Sequence, residues 1–232
     1  KKEIVRQYPF ASKKVVVTPL AYDQNLFNLK VPKEDTMRVK DKYTIVSDYI
    51  LFLSTLKPSK NIEGLIQAFV MLKAKGQMLN GIKLVIAGKK GWLYDSIFRK
   101  VKKLNLEDKI IFTDYVSEED KPALIAGAKV FCLPSFHEGF GLDVLNAMAC
   151  GVPVVISDKG SLPEVAGDAG VYVDPNSSKS IADGIRKVLS MDNIEYNRLA
   201  AKGLEQVKKF SWEKTALKTI QALENVYRQK RQ

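Results

Sequence analysis

From residue 49 onward, short apolar runs alternate with stretches in which apolar residues recur at helical spacing. The apolar runs predict six β-strands, at 49–53, 82–88, 109–113, 129–134, 153–157 and 171–173. The stretches between and after them predict helices at 61–75, 94–104, 118–127, 142–150, 162–165, 179–189, 193–208 and 212–228. This alternation is typical of an α/β fold with a parallel sheet covered on both faces.

Right-handed crossovers leave few topologies for six such strands, and the order 3-2-1-4-5-6 is the commonest of them. We therefore expect a Rossmann-like, doubly wound, six-stranded parallel sheet. Ligands of such sheets bind beyond the carboxyl ends of strands 1 and 4, where the strand order reverses. Two segments would line that crevice, "STLKPSKN" at 54–61 and "SFHEGFG" at 135–141.

The chain before residue 49 has a different pattern. An apolar run, "VVVTP", lies at 15–19. Residues 20–48 are rich in charges and contain Pro32, so we expect an irregular linker there.

Glycines precede the predicted helix at 142–150. Gly139 and Gly141 let backbone N–H groups approach a ligand closely, and a helix N-terminus favours an anion such as phosphate. The dinucleotide pattern G-x-G-x-x-G is not matched, because residue 144 is Val, so NAD binding is disfavoured. A tight strand-to-helix turn explains the same glycines without any ligand.

Lysines lie on the predicted rim of the crevice. Lys60, at the start of the first helix of the sheet, is a candidate for neutralising phosphate oxygens, with an exposed surface lysine as the alternative. Lys89 and Lys90 follow strand 2 and add positive charge to the same rim.

Glu138 is the most informative candidate residue, because a carboxylate disfavours a neighbouring phosphate. It is suited instead to accepting hydrogen bonds from sugar hydroxyl groups. Asn146 lies eight residues later, one turn into the helix, and offers both a donor and an acceptor. The alternative is that Asn146 is an ordinary helix residue with no role in ligand binding.

Composition narrows the function classes. The 232 residues are 46% hydrophobic and 27% charged, and no apolar run is long enough to span a membrane. Two cysteines in apolar stretches, Cys132 and Cys150, predict buried thiols in a reducing cytosol, and a single histidine disfavours a zinc site.

The net charge of +11 favours anionic partners: nucleic acid, anionic lipid or phosphorylated small molecules. A recognition motif for nucleic acid and a strip of stacking aromatic residues are both missing, which disfavours the first of these.

Several ordered motifs resemble a known family. The segment "SFHEGFGLDVLNAMACGVPVVISDKGSLPEVAGDAGVYVDP" resembles the signature of retaining glycosyltransferase family four, which has the GT-B fold. The segments "LFLSTLKPSKNIEGLIQAF", "LVIAGKKGW" and "IIFTDYV" match the family in order and spacing. The resemblance covers roughly 43–228.

The resemblance implies the C-terminal, donor-binding half of a GT-B enzyme. Residues 43–232 would bind a nucleotide-sugar, and residues 1–42 would be a remnant of the N-terminal domain with the interdomain linker. The natural protein would then be longer, with its acceptor domain absent from this chain. The implied activity is retaining transfer of a hexose from a UDP-sugar or GDP-sugar to a glycan or lipid-linked acceptor, without a metal or other cofactor. The implied location is the cytoplasm, with peripheral contact to the anionic inner face of the membrane.

The resemblance also implies roles for individual residues. Lys60 would contact the donor diphosphate, and Glu138 would lie against the donor sugar as the catalytic residue. The backbone near Val116 would lie beside the base. The remaining donor-binding positions are Thr55, Gly139, Phe140, Gly141, Leu142 and Asn146.

Three positions depart from the family pattern. Asn146 replaces the second Glu, which in the family holds the ribose hydroxyls, and an amide binds them without charge assistance. Ser59 replaces a basic residue, and Ser54 replaces a Gly. The alternative to an active transferase is therefore a degenerate member of the family. Such a member would bind a nucleotide-sugar without transferring it, or act as a subunit of a larger complex.

Overall fold

A computed structural model of the chain describes residues 1–74 and 81–229. These residues form two compact units. The larger comprises Asp23–Lys208, and the smaller combines Lys1–Tyr22 with the segment that begins at Lys209. Residues 23–42 thus belong to the larger unit, and their assignment to an interdomain linker stays a prediction.

A six-stranded parallel sheet forms the centre of the larger unit. Its strand order is β3-β2-β1-β4-β5-β6, as predicted, and the expected α/β fold class is confirmed. The strands are β1 Tyr49–Leu53, β2 Lys83–Ala87, β3 Ile110–Asp114, β4 Val130–Leu133, β5 Val154–Ser157 and β6 Gly170–Val173.

The central strands are almost entirely apolar because helices cover both faces of the sheet. Every residue of β1, β4 and β5 is buried, which explains why their sequences are apolar runs, with the polar Ser157 at the end of β5 as the exception. Cys132 lies within β4 and Cys150 just after the following helix. Both thiols are free and buried, as expected, and burial raises the pKa of Cys150 to about 12.

Ten α-helices lie within the described residues, and those after residue 60 match the predicted ones. They are α1 Lys2–Gln7, α2 Lys33–Lys42, α3 Ile62–Ala74, α4 Asp95–Lys103, α5 Lys121–Ala126, α6 Leu142–Ala149, α7 Leu162–Ala166, α8 Ser178–Leu189, α9 Asn193–Val207 and α10 Trp212–Gln229. The helix predicted at 61–75 corresponds to α3, and its predicted last residue, Lys75, lies outside the described residues. None of the described helices is long and apolar enough to cross a bilayer.

The prediction of an irregular linker at 20–48 is wrong, because α2 lies within it. Only Val39 of this helix is buried, so its apolar pattern is too weak to detect. Its charges nevertheless suit a helix: Glu34 and Asp35 lie in the first turn, and Lys40 and Lys42 in the last, where each sign is favoured by the helix dipole.

The apolar run at 15–19 forms neither helix nor strand. Val16 and Val17 are exposed, and no described strand pairs with them. This run is therefore not a strand, and the assignment of residues 1–42 to a remnant of the N-terminal domain stays a prediction.

Candidate functional site

The carboxyl ends of β1 and β4 meet at one edge of the sheet, as the strand order requires. The two strands pair in parallel, with Ile50 opposite Val130. The loops that follow them are joined directly, because the backbone N–H of Phe136 donates to the carbonyl of Ser59 at 2.9 Å. The two segments expected to line the crevice are therefore in contact.

Lys60 and Glu138 form an ion pair at this point. The Lys60 ammonium donates to Glu138 Oε1, and each residue is only 9% exposed. Ser135 Oγ donates to the same carboxylate oxygen at 2.9 Å. Because both charges are largely withdrawn from water, each depends on the other, and an arriving anion would meet Lys60 already paired.

The loop after β1 holds Lys60 in place. A 3₁₀ turn at Pro58–Lys60 ends at Asn61, whose φ of 55° lies in the left-handed region. Asn61 Nδ2 donates to the carbonyls of Pro134 at 3.0 Å and Pro175 at 2.7 Å. This side chain therefore ties the loop after β1 to the loops after β4 and β6, and it compensates for the unusual backbone angle.

The loop after β4 is held from the other side. Ser161 Oγ donates to the carbonyls of Glu138 at 3.1 Å and Phe140 at 2.8 Å. Gly160, with φ of 62°, lies so close to Glu138 that a Cβ there would come within 2.8 Å of the Glu138 carbonyl oxygen. The segment before α7 thus supports the backbone on which Glu138 is carried.

Gly139 and Gly141 differ in what surrounds them. Gly141 precedes α6 with φ of 95°, and a Cβ on it would come within 2.5 Å of Leu162 Cδ2, so the fold itself requires this glycine. Gly139 has open space around it, with no described atom within 4 Å of a built Cβ. The first residue of α6, Leu142, is exposed. Backbone N–H groups at a helix start such as this one are suited to an anion.

Asn146 lies on α6 with only 4% of its surface exposed. Its Nδ2 lies 3.5 Å from Oδ1 of Asp143, one turn earlier. Burial raises the pKa of Asp143 to about 6, although Lys121 and Lys60 oppose that shift. A carboxyl group that titrates near neutrality beside the Lys60–Glu138 pair is a feature of functional sites.

Thr55 and Val116 follow β1 and β3 at the same edge of the sheet. Thr55 is exposed, and its methyl group lies close to Gly91. Val116 is buried as a whole residue, with 1% of its surface exposed, and the expected contact of the backbone near it with a base stays a prediction. Lys89 lies over the Tyr115 ring at 4.5 Å and Lys90 pairs with Asp114 at 3.4 Å, so both are engaged near the end of β3.

Sequence reasoning missed three residues of this site: Ser135, Ser161 and Asp143. Asp143 lies three residues before Asn146 on the same helix, and that spacing is a usable signal. Ser135 lies in a loop, where spacing carries no such signal, although it belongs to the segment 135–141 that was expected to line the crevice. Ser161 carries no such signal, since its contact with Glu138 spans 23 positions.

Comparison with known proteins shows the family to which this chain belongs. The family model for glycosyl transferases group 1 matches residues 37–206. The O-antigen chain mannosyltransferase B of Escherichia coli is 39% identical over 224 residues, which cover 95% of this chain and 57% of that protein. The serotype-specific mannosyltransferase WbdA of Escherichia coli is 34% identical over 215 residues, covering 92% of this chain and 26% of that protein.

A solved structure shares the fold. The crystal structure of Anabaena HepE in complex with UDP and glucose superposes with a TM-score of 0.74 at 21% identity, covering 89% of this chain and 55% of that one. This chain thus spans about half the length of the O-antigen enzyme and of HepE, and about a quarter of WbdA. The matched family model covers the whole sheet together with Lys60, Glu138 and Asn146, and the chain belongs to the group 1 glycosyl transferases.

Proposed function

We propose that the chain is the nucleotide-sugar-binding part of a retaining hexosyltransferase of family four. It would take a hexose from a UDP-sugar or GDP-sugar and pass it to a glycan or lipid-linked acceptor. The observation that carries the proposal is the buried Lys60–Glu138 pair beside the open helix start at Gly139. It offers a cation and backbone N–H groups for a diphosphate, and a carboxylate for sugar hydroxyl groups.

In this proposal each group acts on a different part of the donor. Lys60 and the backbone of Gly139–Leu142 bind the diphosphate and stabilise the negative charge that grows on it as the glycosidic bond breaks. Glu138 accepts hydrogen bonds from the hexose and orients its reacting carbon. The backbone near Val116 lies beside the base, and Thr55 borders the same edge. No cofactor is included, because these groups supply the positive charge that a diphosphate leaving group needs.

The names of the relatives favour mannose as the hexose. Both Escherichia coli relatives are called mannosyltransferases, one of them for the O-antigen chain. The chain spans 57% of the O-antigen enzyme, so we propose that residues outside it hold the acceptor. The net charge of +11 also suits a peripheral contact with anionic lipid at the cytoplasmic face, near a lipid-linked acceptor.

A ligand screen tests the donor part of the proposal. The melting temperature of the chain should rise with UDP or GDP, because a ligand that binds the native state stabilises it. The corresponding nucleosides, which lack the diphosphate, should produce a much smaller rise. Lack of any rise with either diphosphate would overturn the proposal.

A turnover measurement tests whether the acceptor site lies outside this chain. The chain alone should not transfer mannose from a nucleotide-mannose to an oligosaccharide acceptor, because catalysis requires the acceptor to be held in register with the donor. Robust transfer by the 232-residue chain would contradict an acceptor site outside it.

A further inference from the structure

Asp143 and Asn146 occupy one face of α6, a single turn apart. Asn146 directs its amide nitrogen toward the Asp143 carboxylate, with Nδ2 at 3.5 Å from Oδ1. The amide oxygen of Asn146 is buried and has no hydrogen-bond partner among residues 1–74 and 81–229. A buried oxygen without a partner is uncommon and calls for an explanation.

This geometry leaves Asn146 unable to accept a hydrogen bond from an arriving hydroxyl group. Its oxygen is sealed from solvent, and its nitrogen faces Asp143. Asp143 is different, because it is only partly buried and a carboxylate can accept more hydrogen bonds than the single one from Asn146. Of the two side chains, Asp143 is the one that a ligand can reach.

The charges around Asp143 come from several elements. Lys121 faces it from α5, Lys60 from the turn before α3, and Glu138 from the loop after β4. The cations favour the ionised carboxylate, whereas burial and Glu138 disfavour it, and the pKa of Asp143 is about 6. Near pH 7.5 the group is thus a carboxylate, and near pH 5 it is a neutral acid.

We infer that Asp143, positioned by Asn146, is the residue that accepts hydrogen bonds from the donor's vicinal hydroxyl groups. It would supply the charge that Asn146 lacks, from a position one turn nearer the start of α6. Asn146 is then a positioning residue and Asp143 a specificity residue. The inference rests on the proposed function, since it assumes that a nucleotide donor occupies this edge of the sheet.

The test compares two ligands on two variants by calorimetry at pH 7.5. The ligands are the diphosphate that binds, UDP or GDP, and its 2′,3′-dideoxy counterpart. Asp143→Asn should weaken binding of the intact nucleotide by about tenfold or more, the effect of losing a charge-assisted hydrogen bond. It should leave the dideoxy nucleotide unchanged. Glu107→Gln, which removes an exposed carboxylate at the opposite edge of the sheet, should change neither affinity.

A pH series gives a second readout. The preference of the unaltered chain for the intact nucleotide should fall as the pH drops from 7.5 to 5, because Asp143 becomes protonated. Asp143→Asn should show no such fall. Asn146→Ala should move the midpoint of the fall to higher pH, because the Asn146 amide favours the ionised carboxylate.

The outcomes separate the two proposals. If neither diphosphate binds the unaltered chain, the proposed function fails and the inference with it. If the nucleotide binds and Asp143→Asn changes both ligands alike, or strengthens binding, Asp143 acts only through its charge on the diphosphate and the inference alone is overturned. A midpoint that Asn146→Ala leaves unmoved would overturn the positioning role of Asn146.

Discussion

The Lys60 ammonium and the Glu138 carboxylate are bound to one another across the junction of two loops, with each residue 9% exposed. In the free chain this pair neutralises the charge that a diphosphate would use. Donor binding therefore has to share or displace the Lys60–Glu138 contact. The same contact holds together the loops after β1 and β4, so it links binding to stability.

Glu138→Gln should separate the effect of the Lys60–Glu138 contact on stability from its effect on diphosphate binding. A neutral amide leaves the Lys60 charge buried with a weaker partner, so the free energy of unfolding should fall by about 1–3 kcal/mol. The freed ammonium should bind UDP or GDP several-fold more tightly. Urea unfolding with and without the diphosphate measures both effects, and weaker diphosphate binding in Glu138→Gln would contradict a competition for Lys60.

Lys60→Met should reduce the preference for a diphosphate over the bare nucleoside. It keeps the aliphatic part of the side chain and removes the charge, so diphosphate binding should weaken by about 1–3 kcal/mol. Binding of the bare nucleoside should change little. Lys103→Met, which removes an exposed lysine at the end of α4, is the matched control. Equal losses for diphosphate and nucleoside would place Lys60 away from the phosphates.

The two glycines of the turn should respond differently to alanine. Gly141→Ala should lower the free energy of unfolding by about 1–2 kcal/mol or more, because its φ is 95° and the new Cβ meets Leu162. Gly139→Ala should leave stability nearly unchanged, since no atom of the described residues lies within 4 Å of the new Cβ. It should weaken diphosphate binding, because the proposed donor lies against that backbone. Unchanged binding in a folded Gly139→Ala variant would move the diphosphate elsewhere.

Asp120 binds α2 to the start of α5 within the larger unit, and its contribution should depend on pH. Its buried carboxylate accepts hydrogen bonds from Arg38 at 2.9 Å and Lys42 at 2.5 Å. Burial opposes ionisation, but these hydrogen bonds outweigh it and lower the pKa of Asp120 to about 2. A lowered pKa stabilises the fold above the unfolded value of about 4 and loses that effect as the pH falls toward 2.

Asp120→Asn should therefore cost about 1–2 kcal/mol at pH 6, an amount reduced because both cations are half exposed. The difference from the unaltered chain should shrink as the pH approaches 2.5. Urea unfolding across that range gives the measurement. A difference that stays constant with pH would show that the carboxylate charge contributes nothing.

The sheet could be predicted from sequence because each buried strand is a short apolar run, and burial on both faces leaves no other pattern. Lys60 and Glu138 could be assigned to one edge because strand order alone brings the ends of β1 and β4 together. The helix α2 was missed because it buries only Val39 and is held by contacts to Asp120, 78 or more residues away. Such contacts leave no periodic trace in the sequence.

The partner of Asn146 could not be assigned for a related reason. Spacing places Asp143 on the same helix face, but only the fold determines which of the two side chains is sealed and which reaches the crevice. Asn146 alone therefore suggested a weakened site, whereas the structure adds a carboxylate next to it.

The double variant Asp143→Asn with Asn146→Glu should relocate that carboxylate by one turn of α6. Asn146→Glu alone places a second carboxylate beside Asp143, and two acids so close tend to share one proton, so binding of the diphosphate should weaken at pH 7.5. Adding Asp143→Asn removes the repulsion and leaves one charge. That charge lies at position 146, where the side chain is sealed from solvent, so the preference for the intact nucleotide over its dideoxy counterpart should stay as low as in Asp143→Asn alone. Calorimetry on the three variants with both ligands measures the coupling directly. If the double variant instead regains the preference, a side chain at position 146 reaches the hydroxyl groups, and the assignment of that contact to Asp143 alone is wrong.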